Sequence, residues 1–219
     1  MTKDWDFDRW AKSYDKSVQS DDWIHDKYNE NLAVLYEEIS AFSKKKPSKL
    51  LDIGSGTGNL IAMLQNKKSL EIVGCEPSRN MREICNQKCP GVSVIDSKLP
   101  KLANLGGKFD IIVSSYVIHH VPHDSIGFMV DRLKKLCNPG GIILLLDVMF
   151  EDESAFLNEV KYQKENKFED RVEELLDEYF HFVDQLSRAF IEVGFSVGTH
   201  RLSKYIWLLK AHHISTSKG

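Results

Sequence analysis

Leu50-Leu51-Asp52-Ile53-Gly54-Ser55-Gly56-Thr57-Gly58-Asn59-Leu60 is the stretch whose reading decides the fold. It begins as a short apolar strand, passes an acid at the strand's end, turns on glycines and enters a helix. Gly54, Gly56 and Gly58 allow positive φ and the close approach of a ligand that a Cβ would block. A ligand at the carboxyl end of a strand, beside a helix N-terminus, is the binding geometry of open α/β sheets. The spacing is G-x-G-x-G, not the G-x-G-x-x-G of dinucleotide folds.

The rhythm on either side agrees. A strand over 49–53 is followed by a helix from Gly58 to Asn66, a strand over 70–75 and a helix from Pro77-Ser78 to Cys89, with Ser78 as N-cap. Strands follow at 92–95, 109–114 and 142–147. The last, Ile142-Ile143-Leu144-Leu145-Leu146-Asp147, is apolar on both faces, as a central parallel strand should be. Before it, Ile126, Met129, Val130, Leu133 and Leu136 mark the buried stripe of a helix that Pro139-Gly140-Gly141 ends. Alternating strands and helices give a doubly wound, mostly parallel α/β sheet with helices on both faces.

The flanks differ. Residues 5–18 form an aromatic-rich helix, carrying Trp5, Phe7, Trp10 and Tyr14, that either packs on the domain or covers a ligand as a lid. A second helix over 22–45 has Leu32, Leu35, Ile39 and Phe42 on one face and ends at Lys44-Lys45-Lys46-Pro47, lysines that suit a helix C-terminus. Residues 151–181 break the rhythm as a charged helical insertion, with Phe156, Val160, Phe168, Val172, Leu175 and Leu176 in its stripes. A helix over 182–193 and a hairpin of strands at 195–200 and 205–209 follow, and the tail from His212 is read as frayed. The whole, 1–219, reads as one domain: a helical lid (1–46), a cofactor-binding half (47–150), the insertion (151–181), and a C-terminal helix and hairpin (182–211).

A net charge of −3 gives no global basic field to hold a polyanion, so nucleic acid is an unlikely partner. No apolar run approaches the ~20 residues that span a bilayer. The acidic, aromatic start is not a signal peptide. Cys75, Cys85, Cys89 and Cys137 are scattered, as cytoplasmic free thiols would be.

Three acids lie at strand ends that a parallel sheet brings into one crevice: Asp52, Glu76 and Asp96. Glu76 stands where an acid accepts both hydroxyls of a ribose, and Asp96 could accept from the exocyclic amine of a base. A pyrophosphate beside Asp52 would be repelled. S-adenosylmethionine, with its sulfonium and ammonium, suits an acidic crevice better.

These motifs resemble those of the class I S-adenosylmethionine-dependent methyltransferases: Leu51 through Gly58, Glu76-Pro77-Ser78, Asp96 with Leu99-Pro100, Phe109 through Ser114, and Asn138-Pro139-Gly140-Gly141. Trp10 through Asp15, Ser114 through His120, Asp147 through Asp152 and Trp207 through Ala211 extend the resemblance to the YrrT-type bacterial methyltransferases, over nearly the whole chain and least in 151–181. The resemblance implies a seven-stranded sheet of order 3-2-1-4-5-7-6 with strand seven antiparallel. It also implies roles. Asp52 orients the ammonium of S-adenosylmethionine, Gly54, Ser55 and Gly56 approach its methionine part, and Tyr14 closes over the carboxylate. Glu76, followed by Pro77 and Met81, holds the ribose. Asp96 and Ser97 hold the adenine, and Ser114 lines the floor near the methyl. S-adenosylhomocysteine is the implied product.

Methyl transfer needs an in-line nucleophile, and alignment alone can supply ~7–11 kcal/mol. A base is needed only if the acceptor must lose a proton. His119, His120 and His123 follow the fourth strand. His120 is the first choice, because alternation from Ser114 puts Tyr116, Ile118 and His120 on one side. The plain alternative is a buried loop anchor beside an exposed imidazole. Tyr116, His119 and Phe150 are candidates for a substrate pocket. No metal site is expected, since His120, His123 and Asp124 lack a further ligand fixed by sequence. The leading function is methyl transfer to a small cytosolic molecule. A non-catalytic S-adenosylmethionine or S-adenosylhomocysteine binder, an RNA methyltransferase and a nicotinamide-dependent oxidoreductase are the alternatives. The sequence leaves the oligomeric state open.

Overall fold

In the computed structural model, which describes residues 7–19 and 23–214, the strands join in one sheet. They are β1 (Ser48–Ile53), β2 (Leu70–Cys75), β3 (Ser93–Ile95), β4 (Phe109–Ser115), β5 (Cys137–Phe150), β6 (His181–Phe182), β7 (Phe195–Arg201) and β8 (Ile206–His213). The order is β3-β2-β1-β4-β5-β8-β7, with β6 paired beside the end of β5. β3 through β5 pair in parallel, and β8 runs antiparallel to both β5 and β7. This is the expected seven-strand order, with the hairpin supplying the antiparallel edge. The short β6 is additional: Met149 pairs with His181 and Phe150 with Phe182, which ties the end of the insertion to the sheet.

The helices are α1 (Phe7–Ser17), α2 (Tyr28–Ser43), α3 (Asn59–Leu64), α4 (Arg79–Lys88), α5 (Ile126–Leu136), α6 (Glu153–Glu165), α7 (Glu169–Asp177) and α8 (Val183–Glu192). Alternation along each strand divides the core. Leu51, Ile53, Ile112 and Leu145 pack on one face with Met129 and Leu133 of α5 and Leu186 and Phe190 of α8. Leu50, Ile111 and Leu144 pack on the other with Leu32, Leu35 and Ile39 of α2 and Leu60 of α3. Leu50 and Leu51 are both fully buried, as a strand covered on both faces requires.

Four local expectations change. α2 begins at Tyr28, after Lys27 has taken a left-handed φ of 56°; residue 22 and Trp5 lie outside the described residues. β5 starts already at Cys137, before the glycine pair, and pairs there with Phe109 across a register shift. His212 and His213 are not frayed but belong to β8, opposite Ser196 and Phe195. Phe168 and Leu176 are exposed, whereas Leu175 is buried; neighbouring residues stand ~100° apart on a helix and cannot both face inward. Among the described residues no helix is long and apolar enough to cross a membrane.

Candidate functional site

The glycine turn is bound to the end of β2 by its own amides. Gly54 N–H and Ser55 N–H both donate to the Cys75 carbonyl, at 2.8 and 3.0 Å. Gly54, Gly56 and Gly58 have φ of 69°, 53° and 86°. Two of them are also required by packing. A Cβ at Gly54 would lie 2.3 Å from Val117 Cγ2, and one at Gly58 would lie 2.6 Å from Cys85 Sγ. Gly56 differs: its nearest neighbours would be Tyr14 Cε1 at 3.8 Å and Met81 Sδ at 3.9 Å, ordinary contact distances.

A small cavity opens against this turn, walled by Tyr14, Tyr28, Asp52, Ser55, Asn59 and Ser115 together with glycine backbone. Two of its polar atoms, Asp52 Oδ1 and Ser55 Oγ, are buried without a hydrogen-bond partner among the described residues. Asp52 is 2% exposed. Burial, and then the nearby Glu76, push its carboxyl up to about 7. Glu76 is buried as well. Its Oε2 accepts from Gly56 N–H at 3.0 Å and its Oε1 from Ser78 N–H at 2.8 Å, and burial leads in raising its pKa. A buried acid with an orphaned acceptor in the cavity wall, and a second buried acid close enough to raise its pKa, make a site for a cationic donor such as an ammonium. The residues fit a ligand carrying that group, and they do not fit a pyrophosphate.

The other candidates lie around this centre. Ser78 caps α4, accepting from Met81 N–H. Met81 is buried, and the Pro77 carbonyl accepts from Arg82 Nη1 at 2.7 Å. Asp96 lies at the rim, 70% exposed and paired with Arg82 Nη2 at 3.1 Å. The Ser97 hydroxyl donates to the Ala103 carbonyl, and the Ser114 hydroxyl to the Ile53 carbonyl at 3.2 Å. The cavity wall at the end of β4 is therefore Ser115, one residue beyond the serine named from sequence.

α1 lies across the turn. Its Asp8 accepts from Ser78 Oγ and from Asn80 N–H at the start of α4, where a carboxylate suits the helix dipole. Its Asp15 accepts from Thr57 Oγ1, from Asn59 Nδ2 at 3.1 Å and from Lys88 Nζ at 2.7 Å. Phe7 sets its ring edge-on to His120 at 5.3 Å.

Beyond Ser115 the alternation stops. Tyr116 takes a φ of 57°, and 118–120 form one 3-10 turn. Tyr116 and His120 therefore do not share a strand face. Tyr116 accepts from Asn31 Nδ2 at 2.8 Å and packs between His25 and Tyr28. His119 is buried, and its Nδ1 donates to Asp147 Oδ1 at 2.5 Å. Asp147 Oδ2 accepts from the amides of Val117 and Ile118, at 2.9 and 2.8 Å. Burial opposes the charge on His119, but Asp147 prevails and its pKa is raised. His120 Nδ1 donates to Glu178 Oε2 at 3.1 Å; burial and then His119 hold its pKa below the usual value. Phe150 is buried among Phe156, Phe180 and Tyr205.

His181 supports this loop from below. Its Nε2 donates to the Ile118 carbonyl at 2.9 Å, and Nδ1 is buried without a partner among the described residues. Burial, and then His123, lower its pKa from 6.5 to about 4. The unfolded chain binds this proton first as pH falls. The stabilisation is therefore complete above pH 6.5 and is lost as pH drops through about 4, a change of about 3 kcal/mol. His181→Gln, which keeps a donor for Ile118, is expected to flatten the pH dependence of chemical denaturation across that window. An unchanged profile would refute the assignment.

Sequence reading missed Tyr28, Asn59 and Ser115 as cavity residues, Asp8 and Asp15 as anchors, and Asp147 and Glu178 as partners of the histidines. Asp147 carried a signal, an acid ending an otherwise apolar strand as Asp52 does. The others depend on long-range packing.

A family model described as a methyltransferase domain matches residues 24–200. An uncharacterized methyltransferase of Oceanobacillus iheyensis is 29% identical over 95% of this chain and 96% of its own. One from Alkaliphilus oremlandii is 32% identical over 94% of each. Among solved structures, the magnesium protoporphyrin IX methyltransferase of Synechocystis with bound SAH superposes with a TM-score of 0.68 at 20% identity, covering 94% of this chain and 93% of that one.

Proposed function

The chain belongs to the methyltransferase domain family, and from that premise we propose that it methylates a small-molecule acceptor, using S-adenosylmethionine and releasing S-adenosylhomocysteine. The observation that carries the reading is the orphaned, buried Asp52 Oδ1 beside Ser55 Oγ, in a cavity framed by glycines. S-adenosylmethionine supplies, when bound, an electrophilic methyl on a positively charged sulfur.

The chain's own residues bind, orient and exclude water. Asp52 and Ser55 take the amino-acid end, over the backbone of Gly54 and Gly56. Asp52 ionises fully once it faces an ammonium, so the cofactor's charge offsets the burial that now raises its pKa. Glu76 already accepts two amides and keeps lone pairs for ribose hydroxyls. Pro77 and Met81 flank the ribose, and Asp96 and Ser97 receive the adenine edge. Ser115 forms the floor at the end of β4, with Ser114 behind it bonded to the Ile53 carbonyl. α1 serves as the lid: Tyr14 closes the cavity wall, while Asp8 and Asp15 fasten the helix to α4 and to the glycine turn. With positions fixed in this way, proximity supplies most of the acceleration.

Acceptor contacts fall to Tyr116, His119, Phe150 and His120, at the carboxyl ends of β4 and β5. For an acceptor that sheds a proton, His120 is the catalytic residue: its lowered pKa leaves the ring able to accept, and Glu178 holds its orientation. A net charge of −3 favours a small molecule over a polyanion, and four buried free cysteines suit a cytoplasmic setting.

Incubation with S-adenosylmethionine radiolabelled in the methyl group, and with separate metabolite, RNA and protein fractions, tests the acceptor class. Label is expected in a low-mass product. Label in RNA or protein alone, or in nothing, contradicts the proposal.

A further inference from the structure

We infer that His119, His120 and Glu178 form a binding site for one divalent transition-metal ion of the zinc type at the carboxyl end of β4. A ring nitrogen from each histidine and a carboxylate oxygen of Glu178 lie within 4.8 Å of one another. Tetrahedral zinc ligands at bonds of ~2.0–2.1 Å stand ~3.4 Å apart, so a closure of up to ~1.4 Å by side-chain rotation completes the site. Two imidazoles and one carboxylate suit zinc and its transition-metal neighbours, whereas calcium and magnesium prefer oxygen.

The support for the ligands is already in place. Asp147 holds His119 Nδ1, which leaves Nε2 for a metal. This is the carboxylate–histidine arrangement that fixes metal-binding imidazoles. Asp147 is itself fixed by the Val117 and Ile118 amides. Glu178 comes from the insertion, held by Tyr179 N–H donating to the His119 carbonyl at 2.9 Å and by the pairing of β6 with β5. The side chains of His119 and Glu178 are 6% and 9% exposed, and that of His120 is 26% exposed. Three ligands, one reachable from solvent, leave a fourth position for an incoming lone pair. The site that sequence reading considered, with His123 and Asp124, is not the one assembled: His123 donates to the Phe180 carbonyl at 3.2 Å.

With the ion bound, His120 is a ligand and no longer a base, and if the acceptor lies here, as proposed above, the ion would hold its nucleophilic atom and lower its proton affinity instead; that use rests on the methyltransferase reading, but metal binding does not. The test uses the full chain after treatment with a chelator. Zinc is titrated by calorimetry, and cobalt(II) by its visible absorption, into the wild type and the Glu178→Gln, His120→Asn and His212→Asn variants. One equivalent is expected to bind the wild type and His212→Asn alike, with affinity at least ~30-fold weaker in Glu178→Gln and His120→Asn. Circular dichroism of the same samples separates lost ligands from lost fold. No saturable binding, or equal binding by folded Glu178→Gln and His120→Asn, overturns the site. Binding of S-adenosylmethionine, measured separately without metal, shows whether the cofactor reading stands or falls on its own.

Discussion

Asp52→Asn is expected to weaken S-adenosylmethionine binding about a hundredfold while making the ligand-free protein more stable. The two effects have one cause. Asp52 is 2% exposed, and its Oδ1 has no hydrogen-bond partner among the described residues. Burial and Glu76 raise its pKa from 3.8 to about 7. A carboxyl whose folded pKa is raised contributes stability that is present below pH 3.8 and lost as pH rises through about 7. By pH 8 the loss amounts to about 4 kcal/mol. Asparagine removes that loss, less the cost of burying an amide, so the variant should melt higher at pH 8. It also removes the charge that meets the cofactor's ammonium, and breaking a buried charge pair costs ~2–5 kcal/mol. Wild-type affinity should fall roughly tenfold per unit as pH drops below 7, and the variant should lack this slope. Thermal melts and calorimetric titrations from pH 6 to 8 measure both. A variant that binds normally, or is destabilised at pH 8, refutes this role for Asp52.

Gly54→Val carries the second large effect, and Gly56→Ala supplies its control. At Gly54 a side chain meets two obstacles, a φ of 69° and a Cβ 2.3 Å from Val117 Cγ2. Left-handed backbone costs ~1–2 kcal/mol and overpacking ~1–3 kcal/mol. The sum, ~2–5 kcal/mol, is a large part of a typical domain's stability and corresponds to a fall of ~5–15 °C in melting temperature. Binding should become undetectable, because relief of the clash must shift Val117 or the turn beneath Ser55. Gly56→Ala has the backbone strain without the clash. It should lose only ~1–2 kcal/mol of stability and still weaken binding, since the added methyl enters the space between Tyr14 and Met81. Equal melting temperatures for the two variants would show that Val117 does not constrain the turn.

The strand-and-helix order was legible because both signals are local. Leu50-Leu51-Asp52-Ile53 followed by glycines marks a strand end and a turn, and Ser78 before α4 marks a cap. The placement of Asp52 and Glu76 followed from parallel order alone. What the sequence hid lay where the chain leaves its period. Alternation predicts that His120 continues the face of Ser114, but Tyr116 takes a positive φ and a 3-10 turn follows. Hydroxyl directions were equally hidden: Ser97 and Ser114 each donate to a carbonyl, which is a property of the packed surroundings and not of the residue type. Glu178 reaches His120 across 58 positions of chain, a proximity that no motif encodes. The fastening of α1 depends likewise on side chains 42 and 70 positions away.

In the proposed function the glycine turn, Asp52 and Ser55 hold the cationic amino-acid end of S-adenosylmethionine. Calorimetric titration of the wild-type protein at pH 8 with S-adenosylmethionine, and with NAD⁺ as comparator, tests it most directly. One equivalent of S-adenosylmethionine should bind saturably and NAD⁺ should not compete. Absence of S-adenosylmethionine binding, or tighter binding of NAD⁺, would contradict the account.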